Sequence, residues 1–468
     1  MASYGDDSPI AAIATTPGKS ALTLIRCSGK GSVELAGKVF STPEKLVRAA
    51  GNTVLHGWIV RNGVKIDEVL VTVFRSPKSY TGEDGIDISC HGGIAVSRAV
   101  TDALTSAGFR DALPGEFTFR GFMNGKIDLT RSESVMELVC AKTARSRENA
   151  VNRLSGVLEN EINGIKQKLV EALSAVEIFL DYSEDEIGAD PDEDAGLLPR
   201  KNLALESLDR LRKLAESWQR ERIYQEGILA VIAGRPNAGK SSLFNLLLKE
   251  ERSIVTEAPG TTRDWIEEWI SIDGIPVRLA DTAGLRESSE PAEKIGVERS
   301  RSLLESADLV LYVIDGEVGI TGDDREFIAG LDKNANCLIV WNKADVAPLI
   351  APLSSSDKTD GFISISAKTG DNVSGLIAAI GNAIKAVGID NGTATVGTVA
   401  VGTARQKNLI EAAISSLETA LCYAEREEPL DLIAPLIRDA VNSLGEITGE
   451  VSTADILDTI FSQFCVGK

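Results

Sequence analysis

Apolar and polar positions follow different periods in different stretches of the chain, and those periods divide it before any motif is read. Up to about residue 129, the short apolar runs Ile10–Ala14, Ala21–Arg26 and Val69–Phe74 are separated by glycine turns and predict strands mixed with short helices. Asp87–Gly93 predicts a further strand, ending before a helix that begins near Ile94. From about 130 to 225 the spacing becomes helical. Leu158, Ile162, Ile165, Leu169, Leu173, Val176 and Leu180 form one stripe, and Leu205, Leu208, Leu211, Leu214 and Trp218 repeat it. Between 226 and 387 the apolar runs Ile228–Ala233, Ile275–Ala280, Leu338–Trp341 and Phe362–Ile365 each end in a polar or glycine cluster, as buried parallel strands do. Gly388–Gly402, rich in Gly, Thr and Val, reads as a linker. Helical spacing resumes at Ile410, Ala413, Leu417 and Leu421, and after Pro429 at Ile433, Leu436, Ile437, Ala440 and Leu444. Ser452-Thr453-Ala454-Asp455 caps a last helix through Phe461 and Phe464. The pattern predicts a multidomain α/β protein. An N-terminal α+β domain covers 1–129, a helical bundle is split between 130–225 and 388–468, and an α/β domain over 226–387 is inserted into that bundle.

Composition narrows the class. A chain of 468 residues, 43% of them hydrophobic, can bury several cores. It holds no run of about 18 apolar residues and no basic, apolar leader, so neither a membrane span nor a signal peptide is expected. Cys27, Cys90, Cys140, Cys337, Cys422 and Cys465 include no CxxC pair, which argues against zinc and a disulfide framework and favours a reducing cytoplasm. A net charge of −20 disfavours generic nucleic-acid binding, so any RNA contact has to be local. The acidic stretches Asp181–Glu186 and Asp190–Asp194 lack EF-hand spacing and read as a solvated connector, and His91 beside two glycines as a turn or sheet edge.

The chemistry concentrates in the inserted domain. Gly234-Arg235-Pro236-Asn237-Ala238-Gly239-Lys240-Ser241-Ser242 fits the phosphate-binding pattern GxxxxGK[ST] between a strand and a helix beginning near Ser242. Its glycines free backbone N–H groups for phosphates, Lys240 reaches the terminal ones, and the Ser241 hydroxyl can ligate Mg²⁺. Gly18-Lys19-Ser20 is no second copy, because Ile13 stands where the pattern needs glycine. Asp281-Thr282-Ala283-Gly284 ends a strand with a carboxylate for the metal side and a glycine N–H for the γ-phosphate, and Gly260-Thr261-Thr262-Arg263-Asp264 adds a switch threonine, Thr262, for Mg²⁺. Asn342-Lys343-Ala344-Asp345 offers a carboxylate that accepts guanine N1–H and the 2-amino group, and Ser366-Ala367-Lys368 closes the base pocket. The ordered set, each member at the carboxyl end of a strand, implies a Ras-like GTPase domain that binds GTP and GDP.

Segments outside that domain carry a resemblance. Ser79-Tyr80-Thr81-Gly82-Glu83-Asp84, His91-Gly92-Gly93, Pro114-Gly115-Glu116-Phe117-Thr118, Gly125-Lys126-Ile127-Asp128-Leu129 and the terminal Phe461-Ser462-Gln463-Phe464-Cys465-Val466-Gly467-Lys468 resemble the MnmE (TrmE) family of tRNA-modification GTPases over essentially the whole chain. The family ends in Phe-Cys-Ile-Gly-Lys, from which Val466 departs, and it usually carries glycines where Ser20-Ala21 stands here. The resemblance implies a folate-binding and dimerising N-terminal domain, a homodimer, and a heterotetramer with the flavoprotein MnmG. With that partner the family adds an aminomethyl or carboxymethylaminomethyl group to C5 of the wobble uridine of certain tRNAs. The one-carbon unit comes from 5-formyl- or methylene-tetrahydrofolate, and GTP is hydrolysed.

Arg26, Glu83, Lys126 and Lys468 fall on the family's folate-contacting positions. A reduced folate presents an amide-like pterin edge to Glu83 and carboxylates to Arg or Lys. Leu285 follows the Asp281–Gly284 motif and cannot orient a water as a Ras-like glutamine does. The resemblance instead implies K⁺ bound by Asn237, with backbone oxygens of Thr256, Ala258 and Thr261, and water orientation by Glu293. Cys465 has no base beside it in sequence and receives no role. The rival reading is a ribosome-assembly or regulatory GTPase switch without tRNA chemistry, but such proteins append a basic KH-like module where this chain ends in an acidic helical block.

Overall fold

A computed structural model describes residues 4–181, 201–251, 267–281, 303–304, 306–330, 336–347, 362–386 and 399–468. Contacts divide the chain into two units, Met1–Met136 with Glu159–Ala204 and Ser415–Lys468, and Glu137–Leu158 with Leu205–Ile414.

In the first unit, strands β1 (Ile10–Ile13), β2 (Leu22–Ser28), β3 (Thr53–Arg61), β4 (Val64–Phe74), β5 (Gly85–His91) and β6 (Arg110–Asp111) form a sheet ordered β3-β4-β5-β2-β1-β6. Its pairs are antiparallel except β1 with β6. β5 shows the two-residue period plainly: Ile86, Ile88 and Cys90 are buried, while Asp87, Ser89 and His91 take the other face. Helix Ile94–Ala107 covers the apolar face with Val100, Ala103 and Leu104, in one core with Ile25, Val71 and Val73. His91 ends β5, an interior strand paired with β4 and β2, just before the Gly92-Gly93 turn, so of the turn and sheet-edge readings the turn holds, and Asp67 holds its Nδ1 at 2.7 Å. β3 went unexpected because Thr53–Arg61 buries only Gly57 and Ile59, so its order comes from pairing with β4.

The helical stripe Leu158–Val176 is buried along helix Val157–Asp181, but Leu180, in its last turn, is 45% exposed. Helix Leu430–Thr448, from beyond the α/β block, lies in the same unit and is tied to it by Arg438 Nη2 on Glu177 Oε1 at 2.5 Å. The helical domain is therefore discontinuous. Thr453 caps the last helix, Ala454–Ser462, its Oγ1 accepting from Ile456 N–H. That helix brings fully buried Phe461 against Tyr4, Phe119, Phe122 and Phe464.

In the second unit, β7 (Ile228–Gly234), β8 (Glu267–Ile272), β9 (Ile275–Asp281), β10 (Leu309–Asp315), β11 (Cys337–Asn342) and β12 (Phe362–Ser364) are ordered β12-β11-β10-β7-β9-β8. All pairs are parallel except the β8–β9 hairpin. The central strands are apolar throughout because both faces are covered. Helices Lys240–Glu251 and Val373–Ala386 pack on one side through Leu243, Leu247, Leu376 and Ile380, and Phe327 of helix Gly322–Gly330 packs on the other. Helix Lys201–Glu226 buries Leu208, Leu211 and Leu214 while Leu205 is 45% exposed. Steps of three residues precess by about 60° each, so the four leucines joined by three such steps cannot share one face. In this order the carboxyl ends of β7, β9, β11 and β12 lie along one edge of the parallel part of the sheet, where ligands of open α/β folds bind.

Candidate functional site

The phosphate loop leaves β7 at Gly234, whose φ of 142° and close approach to Val313 O, 2.4 Å from a built β-carbon, leave no room for a side chain. Asn237 follows with a left-handed φ of 65° and Gly239 with 96°. The helix begins at Lys240, two residues ahead of the expected start. Lys240 is buried, and its Nζ donates to the carbonyls of Gly234 at 3.0 Å and Arg235 at 2.9 Å. Register Ile232↔Asp281 sets β9 beside the loop, and Ser241 Oγ donates to Asp281 Oδ2 at 2.9 Å. A hydroxyl and a carboxylate converging in this way match the hard-oxygen set that Mg²⁺ prefers. Ser242 is exposed one residue further on.

The base side is built at the end of β11. Asn342 is 2% exposed; its Nδ2 donates to Ala238 O at 2.8 Å and its Oδ1 accepts from Ala367 N at 2.9 Å, joining the phosphate loop to the Ser366–Lys368 turn. Gly239 is needed here, since a β-carbon would lie 2.1 Å from Asn342 Nδ2. Ser366 is buried and its Oγ accepts from Thr369 N, while Lys368 and Asp345 are exposed. Lys343, at a φ of 65°, donates from Nζ to Asp315 Oδ2 at 2.7 Å, and that bond raises its pKa. Asp315 was not singled out from sequence, though an acidic residue ending the otherwise apolar β10 was a usable signal. Thr256, Ala258, Thr261, Thr262, Thr282, Ala283, Gly284 and Glu293 lie outside the described residues.

The first unit holds a cavity of about 100 Å³ lined by Arg26, Ser28, Tyr80, Thr81, Asp87 and Phe117, among others. Arg26 stands 5.9 Å from the centroids of both the Tyr80 and Phe117 rings, and it donates to Asp87 Oδ1 at 3.4 Å and to Gly467 O at 3.2 Å. The chain terminus is thereby fixed at this site, with Lys468 O accepting from Phe117 N at 3.2 Å and Cys465 O from Gly115 N at 3.3 Å. Glu83 does not line the cavity. It accepts from Ser28 Oγ at 2.8 Å and, through both carboxylate oxygens, from Arg120 Nη1 at 3.2 and 3.3 Å. Lys126 Nζ donates to Pro77 O at 2.9 Å, and its stem passes Gly82. Burial pushes the Asp87 carboxyl up, partly offset by Arg26. Arg120 and Asp87 were missed because their roles depend on strand register and tertiary packing.

Among the described residues, no group of three His, Cys, Asp or Glu side chains is placed to hold a metal, and no helix is long and apolar enough to cross a membrane. A family model of the MnmE helical domain matches residues 129–465, and one of the GTP-binding protein TrmE N-terminus matches residues 9–126. The tRNA modification GTPase MnmE of Treponema denticola is 42% identical over 481 aligned positions, covering 100% of this chain and 99% of the relative. That of Carboxydothermus hydrogenoformans is 40% identical over 466 positions, covering 98% and 99%. That of Borreliella afzelii is 40% identical over 472, covering 99% and 98%.

Proposed function

The chain belongs to the MnmE family of tRNA modification GTPases, and from that membership we propose that it hydrolyses GTP while modifying C5 of the wobble uridine of certain tRNAs. In this reading it acts as a cytoplasmic homodimer, in a heterotetramer with the flavoprotein MnmG, and takes a one-carbon unit from a reduced folate. The observation that carries the nucleotide part is Asn342, which links the phosphate loop to the base-side turn and so supports one continuous pocket from γ-phosphate to guanine. Lys240 exchanges its two loop carbonyls for phosphate oxygens, and the exposed Asp345 carboxylate accepts from guanine N1–H and the 2-amino group. Ser241 and Asp281, with Thr262, hold Mg²⁺, which supplies neutralising charge at the phosphates. Asn237, already turned left-handed in the loop, holds K⁺ with Thr256, Ala258 and Thr261, and Glu293 orients the attacking water.

The folate part is supported by the cavity around Arg26. Two aromatic rings, a guanidinium and a carboxylate suit a flat heteroaromatic ring with donor and acceptor edges. Glu83, Lys126 and Lys468 complete the proposed folate set. Likeness along the whole chain, including residues 9–126, favours this reading over a ribosome-assembly switch. The test is complementation of a bacterial strain that lacks the wobble modification, with tRNA nucleosides read by mass spectrometry. The modified uridine is expected to return with the wild-type chain and not with Lys240→Ala. A complemented strain that still lacks the nucleoside rejects the tRNA reading.

A further inference from the structure

Thr321-Gly322-Asp323-Asp324 opens helix Gly322–Gly330 in the manner of a capping box, and one carboxylate oxygen of Asp324 is used for that purpose. Its Oδ2 accepts from Thr321 N–H at 2.8 Å and from Thr321 Oγ1 at 2.7 Å. The other oxygen serves a different end. Oδ1 accepts from the Tyr312 hydroxyl at 2.8 Å and from Arg235 Nε at 3.1 Å. Asp324 is fully buried, and Arg235 belongs to the phosphate loop. Burial works to raise the Asp324 pKa, but the bonds from Thr321 and Tyr312 and the charge of Arg235 outweigh it, so Arg235 meets an anion. Arg235 Nη2 also donates to Gly319 O at 3.3 Å. A helix start that follows β10 thus holds the side chain of a loop that leaves β7.

The backbone of that loop is fixed on either side of its turn. At one end Gly234 packs against Val313 O, and at the other Asn342 holds Ala238 O at 2.8 Å. Between them Asn237 has a left-handed φ of 65°, a conformation uncommon outside glycine that persists where its surroundings impose it. Arg235 stands two residues before Asn237, its side chain tied to Asp324 and its carbonyl accepting from Lys240 Nζ at 2.9 Å. Loop N–H groups stabilise the charge that develops on phosphate oxygens during phosphoryl transfer, and donors fixed in advance act more strongly there than in ground-state binding. We infer that Asp324 is a positioning residue for GTP hydrolysis, holding the phosphate loop through Arg235 in the shape the transition state needs. Arg235 is then a strut and not a charge delivered to the phosphates. The inference rests on GTP hydrolysis by the inserted domain.

The experiment measures steady-state GTP turnover in KCl and fluorescent-GDP affinity for the full-length protein as wild type, Arg235→Ala, Arg235→Gln and Asp324→Ala. Glutamine carries its Nε2 donor the same number of bonds from the backbone as the arginine Nε, so it keeps a bond to Asp324 without the charge. Arg235→Ala is expected to lower kcat by about 10- to 100-fold, the cost of a small misplacement at a reacting centre, with a smaller change in GDP affinity. Asp324→Ala is expected to do the same, and Arg235→Gln to recover most of the wild-type kcat. Wild type without turnover overturns the GTPase reading itself. Wild-type kcat in Arg235→Ala, or in a folded Asp324→Ala, overturns the positioning assignment and leaves the GTPase reading standing. An equal fall in kcat and GDP affinity in Arg235→Ala, the result of a merely structural contact, overturns it as well. Arg235→Gln as slow as Arg235→Ala shifts the role to the charge of Arg235 and also overturns it. Should Asp324→Ala not fold, the comparison of Arg235→Gln with Arg235→Ala decides.

Discussion

Asn342 donates its Nδ2–H to the carbonyl of Ala238 at 2.8 Å, so a residue at the end of β11 holds the middle of a loop that begins at the end of β7. The same carboxamide accepts from Ala367 N, and both partners are left without a bond if it is removed. Asn342→Ala is expected to destabilise the inserted domain by about 1–3 kcal/mol, the cost of unsatisfied buried groups, and to weaken GTP and GDP binding together. Chemical denaturation and fluorescent-nucleotide titration measure the two effects. Unchanged stability with unchanged affinity contradicts the bracing role.

Asp345 is exposed at the turn after β11, where it can meet a purine edge. Asp345→Asn puts a donor where an acceptor stood and is expected to shift preference from guanine to xanthine nucleotides. Competition between GTP and XTP on the variant reads the switch, and retained preference for GTP moves base recognition elsewhere.

Potassium has its own test in the salt used for turnover. At equal ionic strength, wild type is expected to hydrolyse GTP faster in KCl than in NaCl, and Asn237→Ala to lose that difference. Glu293→Ala is expected to bind GTP normally and to hydrolyse it at least about tenfold more slowly, within the range for losing a catalytic proton or water partner. Equal wild-type rates in the two salts remove the cation from the proposal.

Glu116 gives the first unit a defined response to acid. It is fully buried, and burial works to raise its pKa, but bonds from Arg110, Leu113 N–H and Arg120 outweigh that and hold the carboxyl below its ordinary value of 4.5. A depressed folded-state pKa contributes stability that is complete above the unfolded value and fades as pH falls through the folded one. Unfolding free energy is therefore expected to drop as pH falls below about 4.5, with a shallower drop in Glu116→Gln, which starts from lower stability at neutral pH. Parallel curves for the two proteins exclude Glu116 as the source.

Periodicity read the buried strands well because an α/β sheet covered on both faces leaves a nearly continuous apolar run, unbroken in Ile228–Ala233 and interrupted only by Arg278 in Ile275–Ala280. Helical stripes were legible while their steps averaged near 3.6 residues, as along Leu158–Val176, and failed at Leu205, where equal steps of three drift off the buried face. Phosphate-loop chemistry was legible because its parts are contiguous. What sequence could not give was adjacency made by register. Arg26 and Asp87 are neighbours only because β2 pairs with β5 in one particular alignment, and Glu83 is turned to Ser28 and Arg120 by packing that spacing does not record.

The β8–β9 hairpin closes on Asp273 and Gly274, both at positive φ, 52° and 79°. Two such residues in succession make the tight turn whose own twist matches that of the strands it joins, so the turn and the strand pairing favour the same geometry. Six pairs, from Glu267↔Ala280 to Ile272↔Ile275, fix its alignment, and a slip by one would turn every side chain to the opposite face. The alignment is thus set by the hairpin itself, and in the sequence it joins the stretch that follows Thr261-Thr262 to the one that precedes Thr282–Gly284.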